Sequence, residues 1–192
     1  MRPERIKIFY DNDVYPPSED TFLLLDVVDV REGQKVLELG TGSGYIAVHC
    51  ALCGAEVTAT DVSEQAIRNA IQNATANNVR INFAVSDLFE KIEGKFDVII
   101  FNPPYLPTAE HDKVAGNFNF ALDGGLDGSA VIRRFLADAW KFLTEQGIIY
   151  LLYSSHNLND INQFEEIYSW RVLKSARFFF EELYAGEFKP RR

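Results

Sequence analysis

Lys35-Val36-Leu37-Glu38-Leu39-Gly40-Thr41-Gly42-Ser43-Gly44-Tyr45 runs from a short apolar strand through a glycine loop into an apolar helical stretch. The same alternation repeats on either side of it. After the helix Tyr45 to Cys53, bounded by Gly54, a second strand is expected over Glu56 to Thr60. The next helix runs Ser63 to Asn77, with Ser63 as its cap and Ala66, Ile67, Ala70, Ile71 and Ala74 on one face. Strands follow at Arg80 to Val85 and Phe96 to Phe101, then a long helix from Ser129 to Leu143 with Val131, Ile132, Phe135, Leu136 and Ala139 inward. A strand at Gly147 to Tyr153, a helix at Leu158 to Tyr168, and strands at Trp170 to Ala176 and Arg177 to Phe188 complete the chain. Short, nearly continuous apolar strands alternating with helices predict an α/β fold: a mainly parallel sheet with helices on both faces. The last two strands have no helix between them and should form an antiparallel C-terminal pair, making seven strands in all.

At 192 residues, 47% hydrophobic and 13% aromatic, the chain fits a single domain, 1–192, with a core of its own. Residues 1–30 read as an N-terminal extension ending in an amphipathic helix, Thr21 to Val30. Residues 106–128, rich in Gly, Asn and Asp, read as a flap beside a strand end. The net charge of −9 argues against nucleic acid as a partner, because phosphate contacts need Lys and Arg. The one basic cluster, Lys189-Pro190-Arg191-Arg192, reads as a frayed tail. No apolar run reaches the length of a membrane span and no signal peptide is evident, so a cytoplasmic protein is expected. Cys50 and Cys53 cannot complete a tetrahedral zinc site alone. They read as two small buried side chains on one helix face, and no metal is expected.

The glycine loop is G-x-G-x-G rather than the G-x-G-x-x-G of dinucleotide folds, and no lysine follows it as in triphosphate sites. In an open parallel sheet this loop is where a ligand binds. Gly40, Thr41, Gly42 and Gly44 let the backbone turn tightly and approach it closely. Glu38 ends strand one, where it can orient the loop or meet a ligand ammonium group. Asp61, followed by Val62, ends strand two about 20 residues after the loop, where a carboxylate binds ribose hydroxyls. Asp87 ends strand three, placed for an adenine amino group, with Leu88 against the ring. A ligand with an amino-acid end, a ribose, an adenine and no phosphate meets all of these groups: S-adenosylmethionine.

Strand four ends in Asn102-Pro103-Pro104-Tyr105. Two prolines remove two backbone donors and fix φ, leaving the carbonyls of Asn102 and Pro103 free to accept. A carboxamide, a rigid backbone and an aromatic ring at one strand end suit the holding of a planar NH2 group.

Taken in order, Glu38-Leu39-Gly40-Thr41-Gly42-Ser43-Gly44, Asp61, Asp87 and Asn102-Pro103-Pro104-Tyr105 resemble a class I S-adenosylmethionine-dependent methyltransferase of the HemK type. Val14-Tyr15-Pro16-Pro17-Ser18-Glu19-Asp20-Thr21-Phe22-Leu23-Leu24-Leu25-Asp26 is similar to the short eukaryotic and archaeal branch, and Asp123-Gly124-Gly125-Leu126-Asp127-Gly128 to the family's flap. The resemblance implies a Rossmann-like methyltransferase fold and N5-methylation of the glutamine in the Gly-Gly-Gln motif of a class I peptide chain release factor. It carries Thr21, Glu38, Gly40, Asp61, Asp87, Leu88 and Asn102 over as cofactor contacts, and Asn102 to Tyr105 as the substrate clamp and catalytic segment. It also implies a small zinc-binding activator protein as partner.

The Asn-Pro-Pro-Tyr motif alone is shared with adenine and guanine N-methyltransferases acting on rRNA, tRNA or DNA, where a flipped base would stack on Tyr105. A non-catalytic cofactor-binding assembly factor is a further alternative, opposed by the intact clamp; a nicotinamide-dependent oxidoreductase is opposed by the loop spacing. No general base is needed before transfer. Of the three histidines, His49 reads as structural and His111 and His156 as surface residues.

Overall fold

A computed structural model describes residues 6–11, 14–107, 125, 127–178 and 181–191. Its elements in chain order are α1 (Glu19–Leu25), β1 (Lys35–Leu39), α2 (Tyr45–Leu52), β2 (Glu56–Asp61), α3 (Glu64–Ala76), β3 (Asn82–Val85), β4 (Phe96–Phe101), α4 (Ala130–Asp138), β5 (Leu143–Ser154), α5 (Leu158–Asn162), β6 (Tyr168–Phe178) and β7 (Glu181–Pro190). The seven strands form one sheet in the order β3-β2-β1-β4-β5-β7-β6. The first five are parallel, while β7 pairs antiparallel with both β5 and β6. The expected architecture is therefore present, and β7 lies between β5 and the edge strand β6.

Alternate strand residues point to opposite faces, and here both faces are covered. On one side Leu37, Ile99, Phe101, Ile149 and Leu151 pack against Ile132, Phe135 and Leu136 of α4. On the other, Val36, Val98, Ile100 and Leu152 pack against Leu23 and Leu24 of α1 and Ile46 and Cys50 of α2. This two-sided burial is why the strands read as unbroken apolar runs rather than as alternating patterns. Glu38 shares the Val36 face, so its carboxylate is carried into the interior at the end of β1.

Several boundaries depart from the sequence expectation. The helix expected over Thr21 to Val30 spans Glu19–Leu25; Val27, Val28 and Val30 are β-branched, poor helix formers, and pack against the second core after the helix has ended. The helix expected from Ser129 to Leu143 is α from Ala130 to Asp138 and then tightens to a 3-10 turn over Ala139–Phe142. Leu143 already pairs with Phe96, so β5 begins four residues before Gly147, across a register shift. A side chain at Gly147 would come within 2.9 Å of the Phe96 carbonyl oxygen. The helix expected over Leu158 to Tyr168 stops at Asn162. Tyr168 instead starts β6, and its buried hydroxyl donates to the Leu136 carbonyl (2.8 Å) and accepts from the Trp140 amide (3.0 Å).

Ser63 caps α3, accepting from the Ala66 amide at 3.3 Å. Ala66, Ile67, Ala70 and Ala74 are buried, but Ile71 is 46% exposed. The buried face of α3 is rotated toward Asn69 and Asn73, because a row of carboxamides holds the segment 6–11. Asn73 accepts from the Phe9 amide and donates to the Phe9 carbonyl, Asn69 donates to the same carbonyl, and Asn77 brackets Lys7 in the same two-way fashion. Residues 189–191 of the basic cluster are not frayed: Lys189 and Pro190 lie in β7 and the Arg191 amide donates to the Ile167 carbonyl at 2.7 Å, while Arg192 lies outside the described residues. Among the described residues no helix is long and apolar enough to cross a membrane.

Candidate active site

The sheet order reverses between β1 and β4, and the crevice beyond the carboxyl ends of these strands is where open α/β sheets bind ligands. A cavity of about 400 Å3 lies there. Every candidate residue proposed from the sequence lines it except Gly44: Thr21, Glu38, Gly40, Thr41, Gly42, Asp61, Val62, Asp87, Leu88, Asn102, Pro103, Pro104 and Tyr105. Gly44 is the left-handed N-cap of α2, and a side chain there would meet the Cβ of Ala70 at 2.9 Å. That glycine lets α2 approach α3, away from the cavity. Gly40 lies on the cavity wall with φ 61, where an added Cβ would come within 3.3 Å of the Phe101 ring.

The acids differ in their surroundings. Glu38, 4% exposed, accepts a hydrogen bond from Thr41 Oγ1 at 2.5 Å. Burial pushes its carboxyl up to about 8, only partly opposed by the Thr41 bond. Asp61 accepts the Gly42 amide on Oδ2 and the Ser63 amide on Oδ1, both at 2.9 Å, so it ties the glycine loop to the end of β2 while each oxygen keeps a free lone pair. Burial raises its carboxyl too, against the pull of those amides. Asp87 pairs through Oδ2 with Arg134 of α4 at 2.8 Å, at the more open end of the cavity. Leu88 follows at φ 45, an uncommon conformation for a branched side chain, and lines the wall beside it.

At the other end stands Asn102. Its Nδ2 donates to Asp20 Oδ2 at 3.1 Å, while its Oδ1 is buried and has no hydrogen-bond partner among the described residues. A buried acceptor left unpaired costs about 1–3 kcal/mol, so this oxygen is open to a further donor. Pro103 and Pro104 have no N–H to offer it. Tyr105 is half-buried; burial first, then the nearby Asp20 charge, hold its phenol protonated. Asn157, fully buried, donates to the Tyr105 carbonyl, the Gly128 carbonyl and Ser129 Oγ, and accepts from the Ser154 amide. It thereby fixes the end of the Asn-Pro-Pro-Tyr segment to β5 and the start of α4.

Asp20, Tyr15, Arg134 and Asn157 are site residues that the sequence did not single out. Asp20 and Glu19 carry the ordinary signature of acids in a first helical turn, and nothing local tells that one of them is buried against a strand end 82 residues away. His111 and most of the flap 106–128, including Asp123, Gly124 and Leu126, lie outside the described residues. His49 is buried and His156 is exposed. Cys50 is buried in the second core, whereas Cys53 is only half-buried, its Sγ 3.8 Å from His49 Nε2. Among the described residues no cluster of His, Cys, Asp and Glu could hold a metal ion.

Residues 17–168 match the methyltransferase small domain family. A Methanocaldococcus jannaschii protein assigned as a protein N5-glutamine methyltransferase is 46% identical over 154 residues, covering 79% of this chain and 78% of its own length. The mouse methyltransferase HEMK2 is 32% identical across 76% of this chain and 73% of that protein. Among solved structures, the E. cuniculi Mtq2-Trm112 complex, responsible for methylation of the eRF1 translation termination factor, superposes with a TM-score of 0.71 at 27% identity, over 93% of this chain and 99% of that one.

Proposed function

The chain belongs to the methyltransferase small domain family, and we propose that it transfers a methyl group from S-adenosylmethionine to the side-chain amide nitrogen of a glutamine, the one in the Gly-Gly-Gln motif of a class I peptide chain release factor. The observation that carries this reading is the buried Asn102 Oδ1 on the cavity wall, which has no hydrogen-bond partner among the described residues. A primary amide nitrogen has two hydrogens and a delocalised lone pair; it needs to be held and oriented rather than deprotonated. Asn102 Oδ1 and the Pro103 carbonyl accept its two N–H groups, and Tyr105 packs on the amide plane. Positioning of this kind contributes several kcal/mol to a transfer step.

The cavity fits the cofactor group by group. When bound, it supplies an electrophilic methyl on a sulfonium. Glu38, backed by Thr41, meets the ammonium end, with Thr21 nearby. Asp61, with a lone pair open on each oxygen, accepts the ribose hydroxyls beside Gly40, Gly42 and Val62. Leu88 packs against the adenine, and Asp87 keeps Oδ1 for its amino group while Oδ2 holds Arg134. The chain acts as one methyltransferase domain.

The release factor as substrate is supported by relatives named as glutamine and release factor glutamine methyltransferases, and a second protein by the two-protein E. cuniculi complex; that this partner is a small zinc-binding activator is part of the proposal. Incubation with labelled S-adenosylmethionine and purified release factor, with and without such a partner, followed by mass mapping, tests the reading. Label on the motif glutamine is the expected result; label only in RNA or DNA, or on another protein side chain, would move the same clamp to a different NH2 group.

A further inference from the structure

We propose that Asp20 is the positioning residue that sets the polarity of the Asn102 carboxamide, so that the cavity wall accepts an N–H instead of donating one. The inference rests on the clamp reading above. The two ends of a carboxamide are nearly identical in shape, and only hydrogen-bond partners decide which faces where. Asp20 decides it here. It is 6% exposed, and its two oxygens have separate duties. Oδ1 accepts the Thr21 amide at 2.6 Å and Thr21 Oγ1 at 3.2 Å; Oδ2 accepts Asn102 Nδ2 at 3.1 Å and the Tyr15 hydroxyl at 3.3 Å. A carboxylate only accepts, so a flipped Asn102 would set oxygen against oxygen and turn its NH2 toward the substrate's NH2.

The substitution Asp20→Asn separates this role from simple packing. The Thr21 amide is fixed by α1 and demands an oxygen at the Oδ1 position, so the new amide nitrogen takes the Oδ2 position. Asn102 then gains by flipping, and a donor faces the cavity. Asn102→Asp in the same background repairs the polarity, since one carboxylate oxygen takes the new NH2 and the other faces the substrate. In the wild-type background Asn102→Asp instead opposes two carboxylates.

The experiment is a double-mutant cycle on the full chain, reading kcat and KM for the glutamine substrate. Calorimetric affinity for S-adenosylhomocysteine and the 1H–15N resonances of the Asn102 side-chain NH2 are read alongside. Asp20→Asn should lose on the order of 100-fold in kcat, with product affinity held within about two-fold and the Asn102 NH2 resonances displaced. The double variant should regain at least about ten-fold over Asp20→Asn. Asp20→Ser, whose hydroxyl can still accept the Thr21 amide but cannot reach Asn102, should show the same kcat loss and guards against Asp20→Asn failing to fold. An Asp20→Asn protein with wild-type kcat, or a folded, product-binding double variant no better than Asp20→Asn, overturns the proposal. If Asn102→Ala itself keeps wild-type turnover, the clamp reading fails, and it fails independently of Asp20.

Discussion

Replacing Glu38 by glutamine should flatten the pH dependence of stability. Burial holds the Glu38 carboxyl up at about 8, against an ordinary value near 4.5 in the unfolded chain. Between those two values the folded protein keeps a proton that the unfolded chain has released, so stability is greatest at the acid end and falls as pH rises through about 8. The gap of about 3.5 in pKa corresponds to a limit of roughly 5 kcal/mol. Over about pH 5 to 9 the wild type should lose up to about 4 kcal/mol through this one group. Glutamine keeps the shape and an oxygen for Thr41 Oγ1, but it does not titrate. Asp61 is raised in the same direction and is present in both proteins, so the difference between the two profiles isolates Glu38. Urea unfolding at half-unit pH steps measures it: the stability of Glu38→Gln relative to wild type should climb steadily with pH. Parallel profiles would refute the reasoning. The cofactor gives a second arm. An ammonium group meeting Glu38 favours the ionised carboxylate, so binding near pH 7 should release close to one proton in the wild type. In Glu38→Gln the proton from this site should be missing, as calorimetry in buffers of different ionisation enthalpy would detect.

Asn102→Ala should abolish methyl transfer by about 100-fold or more while calorimetry still detects cofactor binding; a parallel loss of both would point to collapse of the cavity instead. Asp61→Ala should weaken cofactor binding by at least about ten-fold, because it removes the proposed ribose acceptor and frees the Gly42 amide from the loop; unchanged affinity would count against that assignment. Gly44→Ala should cost roughly 1–3 kcal/mol in unfolding experiments, from the left-handed φ and the 2.9 Å approach to Ala70, with cofactor affinity little changed in whatever folds. Asn73→Ala should release the segment 6–11, seen as faster amide exchange at Phe9, whose N–H bonds to the Asn73 side chain; protection unchanged at that amide would contradict the carboxamide row.

What could be read in the sequence was what chain-local rules determine. Strands buried on both faces announce themselves as apolar runs, and Gly40, Gly42, Asp61 and Asn102 fall at strand ends whose positions those runs define. The ends of the helices were less legible, because tertiary contacts decide them. Tyr168 leaves the helical pattern to bond Leu136 and Trp140 across the core, and Leu143 joins β5 by pairing with Phe96. An apolar periodicity places Ile71 inward because it cannot register Asn69 and Asn73, two asparagines that bury themselves to bind backbone. Asp20 and Asn157 were missed for a related reason. Each is a polar residue in an ordinary helix-start context, and its importance lies in partners that are distant in the chain: Asn102 for the first, Tyr105 and Gly128 for the second.

The insertion of β7 between β5 and β6 has a consequence for how the chain is made. From Gly147 onward β5 is almost wholly buried and largely apolar, and its outer edge pairs with Leu183 to Phe188 of β7. When synthesis has passed Ser154, that edge still presents a row of unpaired amides and carbonyls on a sticky strand, and it stays open until the last strand arrives. Such edges recruit other strands. Nascent chains stalled between β5 and β7, and products truncated before Glu181, should therefore be the aggregating species, even though every strand that frames the cavity has already been made.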